Sequence, residues 1–578
     1  MLRQGSRLIS KRVEQFGRRY AGSSMHAHAD QLKAGFEKAS VGGRMSFEDF
    51  ASGMSCALPA VNLSCEQLRS LFEKQKDKEG YIDWHAFSDM AAKEAGIVES
   101  FVPMEARAQP VFNELKATFA TGKTKSLEWR KKQLRGIQAM LKENHQEFLD
   151  ALRGDLGGGE LRGLSEMNLI HECQYMIDNL DKWAADEHVP SEPPKNTDKD
   201  KWIVRKEPKG VVFIMGAWNF QLSLSVHPLI DVIAAGNCAV LKPSELSPHS
   251  ALLLENLIHK YLDTSAIRVV QGEIPETTAL LQLPWSHIIY TGSTAVGKIV
   301  MSAAAKNLVP VTLELGGKSP VIVDKTADIE KAARKIMLAK MSNSGQWCVN
   351  ADYVVVDKAV EQKLLDELVK CSSEMLGTVQ DQKGNGSKTD FFMRIVNVRN
   401  AERLKRAIAT SGGKVVYGSE EACDIVEKFI PLTIISNPDL SSEVMSDEIF
   451  GPVLPVVGVD SVDAAIAMVN KVDPTPLALY VYTQDDATAE KVLSSCTSGS
   501  AAVNTCNEQM LNVKCPFGGI GASGMGAYHG EAGFLEFSHK RTILYRDADG
   551  YLMPKPLWPK VNKVEADVIE SVKKAHGL

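Results

Sequence analysis

The sequence predicts an α/β protein organised around a doubly wound parallel sheet, with a small all-α module in front of it. Two observations carry this. From Val211 onward, short strand-like runs (Val211–Met215, apolar throughout, then 239–241, 267–270 and 287–290) alternate with helical segments (222–235, 250–262 and a third from about Ala295). Runs that are apolar throughout are strands buried on both faces, which is what a parallel sheet covered by helices requires. Ahead of them, residues 25–96 read as two helix-loop-helix units.

Composition bounds the rest. With 578 residues, 44% apolar and 24% charged, the chain is ordinary globular protein, and at about 100–200 residues per domain it holds three or four domains. A net charge of -6 with scattered basic residues offers no footprint for nucleic acid. The ten cysteines contain no CxxC pair and no zinc-type Cys/His spacing, which predicts reduced thiols and no metal site. No apolar run approaches the roughly 18–20 residues of a membrane helix, the tail 561–578 is charged and supplies no anchor, and the last three residues do not match the peroxisomal signal.

In chain order, residues 1–20 carry six basic residues against one acid, Glu14, with Leu2, Ile9, Val13, Phe16 and Tyr20 at helical spacing. A basic, amphipathic, acid-poor N-terminus predicts a mitochondrial transit peptide over 1–24 and a matrix location. Of the two units in 25–100, the second resembles an EF-hand: Gly80 stands where a calcium loop turns and Ile82 follows two residues later. Calcium needs oxygens at six loop positions, the last usually a bidentate Glu, and Ala86 occupies that place. The first unit, around Gly43 and Met45, has Lys38, Ser40 and Gly42 at its first three ligand positions. The expectation is a degenerate pair kept for packing or for a partner not identified. Apolar spacing from Leu134 to Leu141 and from Leu169 to Leu180 predicts scaffold helices, and 190–201, with Pro193 and Pro194, a linker or hairpin start.

Parallel sheets bind ligands at the carboxyl ends of their strands. Those ends carry Trp218 and Asn219, then Lys242, Ser244 and Glu245, then Gly292 and Ser293. The usual GxGxxG is absent. The stretch from Gly292 through Gly297 to Lys298 imitates a P-loop, but Ile299 stands where magnesium needs Ser or Thr; the opening of a helix there still suits a phosphate. Next, Val311, Leu313 and Leu315 alternate with Thr312 and Glu314, a strand with Glu314 opposite its apolar set. A turn then runs from Asn343 to Cys348.

Seven strings occur in the order seen in aldehyde dehydrogenases: Trp218-Asn219, KPSE ending at Glu245, TGSTAVGK from Thr291, LELGGKSP from Leu313, SGQWC ending at Cys348, EIFGPVLP from Glu448, and PFGGIGASGMGAYHG from Pro516. The last, with Phe537-Ser538-His539 after it, resembles the class 3 (fatty and aromatic aldehyde) branch, and the resemblance covers about 101–548. It implies the aldehyde dehydrogenase fold: an NAD-binding domain (101–189 and 207–312), a catalytic domain (313–523), oligomerisation elements (190–206 and 524–550) and a tail (551–578). It also implies Cys348 as nucleophile, the Asn219 amide and Cys348 N–H as oxyanion donors, and Glu314 as general base for hydrolysis of a thioester. Trp218, Lys242, Ser244, Glu245, Gly292, Ser293, Gly297, Glu448 and Phe450 become the cofactor residues. Glu245 suits ribose hydroxyls and repels a 2'-phosphate, so NAD is expected, with NADP possible. The expected activity is NAD(P)-dependent oxidation of a small-molecule aldehyde to its acid by a homodimer; the alternative is a weak or inactive member serving as a binding or calcium-responsive module.

Several positions depart from the class 3 pattern. Phe220-Gln221 stand where Tyr-Pro is common, Trp347 where a small residue precedes the nucleophile, Asn350-Ala351 where Ala-Pro follows it, and Gln509 where histidine is frequent. All are candidates for the aldehyde channel, which Trp347 would narrow and Glu508 make more polar.

Overall fold

The structure is a computed structural model that describes residues 104–190, 200–378, 381–382 and 392–546, with the short pieces 44–45, 82–83, 569–570, 573–574 and 576–578. Residues 1–24, read above as a transit peptide, most of 25–100, read as helix-loop-helix units, and most of the C-terminal tail lie outside the described residues. Within the module, strand β1 (Arg44–Met45) pairs antiparallel with β2 (Ile82–Asp83), setting Met45 opposite Ile82.

Helices Leu127–Glu143 and Leu169–Ala184 bury the predicted apolar stripes, with Leu134, Ile137, Met140, Leu141, Cys173, Met176 and Leu180 in the core. Strands β3 (Glu187–Val189) and β4 (Lys201–Pro208) are antiparallel, so the Pro-rich stretch joins the arms of a hairpin.

The six-stranded sheet follows. Five of its members are β5 (Val211–Met215), β6 (Cys238–Lys242), β7 (Ile267–Val269), β8 (His287–Thr291) and β9 (Val311–Glu314), parallel in the order β9-β8-β5-β6-β7. β5, β6 and β8 are buried at every position. The chain leaves β5 toward β6 on one side and returns to β8 on the other, so the sheet's switch point is the crevice beyond the carboxyl ends of β5 and β8.

A seven-stranded sheet holds β10 (Pro320–Val323), β11 (Tyr353–Asp357), β12 (Lys414–Tyr417), β13 (Thr433–Ser436), β14 (Val453–Val459), β15 (Ala478–Tyr482) and β16 (Ser500–Val503) in the order β12-β13-β14-β11-β10-β15-β16, parallel except at β12. The chain then returns. β17 (Gly524–Met525) adds antiparallel to β9, and β18 (Ser538–Tyr545) pairs with β4 to complete a three-stranded antiparallel sheet.

Three expectations are adjusted. The alternation around Glu314 reads as a half-exposed strand, yet Thr312 and Glu314 are buried along with the apolar set, because Thr312 hydrogen-bonds Glu536 and lies 2.7 Å from His287 Nε2 while β17 covers the edge. The boundary expected at 312/313 falls inside β9, which is bonded to β8 along its whole length. Residues 524–525, grouped in the sequence with the oligomerisation elements, are hydrogen-bonded into the six-stranded sheet.

Candidate active site

The site starts from a backbone no ordinary turn would adopt. Helix Ile329–Met341 ends at Ser342, after which Asn343 (φ 53°), Ser344 (φ 49°) and Gly345 (φ 74°) are all left-handed. Such a conformation costs a non-glycine residue about 1–2 kcal/mol, so the surroundings must enforce it. They do so with buried hydrogen bonds. Asn343 Nδ2 donates to Asn219 O at 2.8 Å and Gln346 O at 2.9 Å, and Ser344 Oγ donates to Met393 O at 2.9 Å. Gln346 Nε2 donates to Arg394 O at 3.0 Å, and its Oε1 accepts from Val396 N–H at 3.0 Å. At Gly345 a Cβ would lie 2.1 Å from Gly451 O, so this loop docks directly on the segment containing Glu448 and Phe450.

Asn219 follows β5. Its Nδ2 donates to Gln346 O at 3.1 Å, which leaves a second amide proton for an oxyanion. Its carbonyl accepts from Arg162 Nη2 at 2.9 Å. Arg162 is a residue that the sequence reading passed over: only 4% exposed, it pairs with Glu166 at 2.5 Å, donates from Nε to Asn343 Oδ1 at 3.3 Å and lies 4.6 Å over the Phe220 ring. Glu166 in turn accepts from the Leu222 and Ser223 N–H groups at 2.9 and 2.8 Å. An Arg and a Glu four apart on a helix read as a surface pair; only the tertiary packing shows that they brace both Asn219 and the turn that leads to Cys348.

Glu314 ends β9 between β8 and β17, 2% exposed, with neither carboxylate oxygen hydrogen-bonded among the described residues. Burial and the charge of Glu536 push its pKa well above the carboxylate range. Glu448 approaches the turn after β9 across Gly316, where a Cβ would sit 2.1 Å from its Oε2. Burial and Asp352 raise Glu448 to about 8, against a hydrogen bond from the Gly317 N–H and the charge of Lys318. Lys318, also unnoticed in sequence, anchors this segment through Asp352 at 2.5 Å, Val444 O at 2.8 Å and Asp447 O at 3.0 Å. Cys348 is half-buried. Burial and the carboxylates of Glu448 and Glu314 push its thiol up, so it is neutral at rest and needs a base or an incoming positive charge to ionise.

The crevice carries the remaining residues. Lys242 Nζ, at the end of β6, pairs with the exposed Glu245 at 3.0 Å, and Ser244 Oγ accepts from Leu246 N–H. At the end of β8, Gly292 (φ 159°) lies against the Tyr290 hydroxyl, and Ser293 caps helix Thr294–Ala305 by accepting from Val296 N–H. Gly297 is inside that helix, pressed to 2.7 Å from Leu315 by the position its Cβ would take, which is a packing role. Trp218 and Phe450 meet edge to face with centroids 5.3 Å apart. The helix N-terminus, the Lys242–Glu245 pair and the Trp218–Phe450 wall fit a dinucleotide: amides for pyrophosphate, polar groups for ribose, aromatic surface for a flat ring.

The departing positions are coupled in space. Trp347 tilts against Phe220 with centroids 5.0 Å apart, Gln221 Oε1 accepts from Arg162 Nη2 at 3.3 Å, and Gln509 Nε2 donates to the Tyr480 hydroxyl at 3.1 Å.

Residues 104–543 match the aldehyde dehydrogenase family. "Aldehyde dehydrogenase, dimeric NADP-preferring" of Canis lupus familiaris is 41% identical over 438 residues, 75% of this chain and 94% of that protein. "Aldehyde dehydrogenase family 3 comG" of Dictyostelium discoideum is 41% identical over 445 residues, 76% of this chain and 92% of that protein. Among solved structures, the substrate-bound state of Staphylococcus aureus AldH superimposes with a TM-score of 0.74 at 35% identity, covering 80% of this chain and 99% of that one. A family match spanning the whole α/β body, around a cysteine turn with the buried Glu314 and the half-buried Glu448 near it, is what an aldehyde-oxidising enzyme with a nicotinamide cofactor presents, and the chain belongs to the aldehyde dehydrogenase family.

Proposed function

We propose that Cys348 is the nucleophile of a class 3-like NAD(P)-dependent aldehyde dehydrogenase. The supporting observation is the strained turn that carries Cys348 and is hydrogen-bonded to Asn219, with Glu314 and Glu448 close enough to perturb the thiol. The Cys348 thiolate adds to the carbonyl carbon, and the oxyanion is held by the free Asn219 amide proton and the Cys348 N–H. Bound in the crevice, the nicotinamide supplies the acceptor for the hydride released from the reacting carbon. Glu314 then takes a proton from the water that hydrolyses the thioester, releasing the acid and regenerating the thiol. Balanced, aldehyde, water and NAD(P)+ yield acid, NAD(P)H and a proton. Cys348→Ala is expected to lower NADH production from an aldehyde panel by about 10^4-fold or more; turnover that survives would refute the role.

Lys242 and Glu245 hold the adenosine ribose in this reading, with Ser244 beside them, Gly292 and Ser293 near pyrophosphate, and Glu448 at the nicotinamide ribose. NAD is the preferred cofactor, although the Lys242 ammonium partly offsets the repulsion between Glu245 and a 2'-phosphate, so NADP is accepted too. Running the panel with each cofactor measures the ratio, and a strong NADP preference overturns the Glu245 argument.

A homodimer is supported by relatives whose name includes "dimeric"; sedimentation of a monomer would refute it. The N-terminal module is a degenerate EF-hand pair, a reading supported by the alignment of Met45 with Ile82, each two residues past its loop glycine. Its expected behaviour is silence in calorimetry at millimolar calcium, and a saturable heat would reverse the conclusion. Residues 1–24 direct the protein to the mitochondrial matrix, supported by their basic amphipathic pattern; a reporter fused to them that stays in the cytosol would remove this assignment.

A further inference from the structure

Glu314 shares its face of β9 with Thr312, two residues earlier, so their α-carbons stand about 7 Å apart along the strand with side chains on the same side. Thr312 is the middle of a chain of hydrogen bonds. Lys209 Nζ lies 3.1 Å from His287 Nδ1, His287 Nε2 lies 2.7 Å from Thr312 Oγ1, and Thr312 Oγ1 donates to Glu536 Oε1 at 2.5 Å. His287 and Thr312 are buried. The two charged ends are not: Lys209 opens onto a surface groove beside Glu207 and Lys540, and Glu536, the last residue of helix Gly530–Glu536, is partly exposed.

The chain runs in one direction. An ammonium has donors and no acceptor, so Lys209 donates to His287 Nδ1 and the ring keeps its proton on Nε2. That N–H donates to Thr312, whose own hydroxyl proton goes to Glu536, and Glu536 receives it as a carboxylate. Burial and the charge of Lys209 hold His287 down at about 3, in keeping with a neutral ring. Gly526 lets the carboxylate lie against the strand, since a Cβ there would sit 2.5 Å from Glu536 Oε1 and 3.0 Å from Thr312 Cγ2. Two residues before it, Gly524 is paired with Glu314.

A carboxylate supplied with a donor therefore stands one strand step from a buried carboxyl. On either side of Glu314, β8 and β17 bring Thr291 and Gly524, which carry no charge. The Cys348 thiol and the Tyr528 hydroxyl are near enough to feel its charge. Burial, and then the charge of Glu536, resist ionisation of Glu314. Two carboxyls in such unequal surroundings take different protonation states.

We propose that Glu536 is a positioning residue for the hydrolytic step: its charge, fixed by the chain from Lys209, holds the proton on Glu314 at rest and makes Glu314 the stronger base once that proton has left. The inference rests on Glu314 being the base that activates water.

The test follows single-turnover release of acid against pH in wild type, Glu536→Gln, Glu536→Asp and Glu314→Gln. Glutamine still accepts from Thr312 but carries no charge, whereas aspartate keeps the charge. In Glu536→Gln the midpoint of the pH profile is expected to move down by roughly half a unit or more, the effect of one charge at this separation in a partly hydrated interior. The rate at high pH should fall severalfold, because the base is weaker, and Glu536→Asp should stay closer to the wild-type midpoint. A merely structural role lowers the rate and leaves the midpoint in place. An unchanged midpoint in Glu536→Gln, or an equal shift in Glu536→Asp, overturns the inference. Should Glu536→Gln fail to fold, the infrared difference between wild type and Glu314→Gln decides: a protonated-carboxyl band at neutral pH supports the inference, and its absence overturns it. Glu314→Gln protein that keeps the wild-type pH profile would instead remove Glu314 as the base, so the two failures are distinguishable.

Discussion

Glu314 is a carboxyl held in a buried place with no donor among the described residues to stabilise its charge, and that fixes the direction of two pH effects. Its folded pKa is raised, so the proton is retained through the pH range where an unfolded glutamate, near 4.3, has already lost it. The contribution to stability is therefore full below the unfolded value and lost as pH rises toward the folded one. Glu314→Gln is neutral throughout, so its melting temperature should gain on wild type as pH is raised from about 5 to 8; a constant difference would show that Glu314 is ionised in the fold. Under the proposed mechanism hydrolysis should respond in the opposite sense, since there the deprotonated form of Glu314 takes the proton from water. Single-turnover release of acid should accelerate with pH in wild type and lose that acceleration in the glutamine variant. Arg162 makes a different prediction. Replacing it by Met leaves Glu166 buried without its partner, at a cost of about 3–5 kcal/mol, and frees Asn219 and Asn343 together, so denaturant melts should shift and kcat should fall more than KM rises. Cys348, Glu314 and Asn219 could be singled out in sequence because each lies in a motif. Arg162, Glu166 and Lys318 could not, since an Arg or Lys in sequence carries no sign of whether its partners will bury it.

At the scale of elements, strand identity was the most legible feature: each run chosen from β5 to β9 appears within one or two residues, because short stretches rich in β-branched and apolar residues pack as sheet strands. The turn between Asn343 and Gly345 was not legible, since three successive left-handed residues are imposed by docking against Gly451 and Asn219 rather than by local preference. The turn between β9 and β10 yields a sharper test. Gly316→Ala would put a methyl group onto the Glu448 carboxylate, and forcing such a contact costs about 1–3 kcal/mol. If Glu448 contacts the nicotinamide ribose, NAD affinity by calorimetry should weaken by about tenfold, while Gly317→Ala, whose Cβ would meet its neighbours no closer than 3.0 Å, should weaken it less.

For the whole molecule, the three sheets follow from the ordered motifs, whereas the way the chain closes does not. Two residues of antiparallel pairing at β17 are too short to register as a periodic signal, yet they cover the open edge of β9 and set Gly524 opposite Glu314. This bears on biosynthesis. A ribosome delivers the chain from its N-terminus, and domains fold as units while they emerge; the six-stranded sheet can form its parallel core once β9 is out, but the strand bearing Glu314 stays unpaired on one side until about 210 further residues have been made. A chain stopped after Ser523 is therefore expected to contain every residue assigned to chemistry and still show no dehydrogenase turnover, restored when the missing segment is supplied in trans. The sheet edge beside Glu314 thus closes only after the whole seven-stranded sheet has been made.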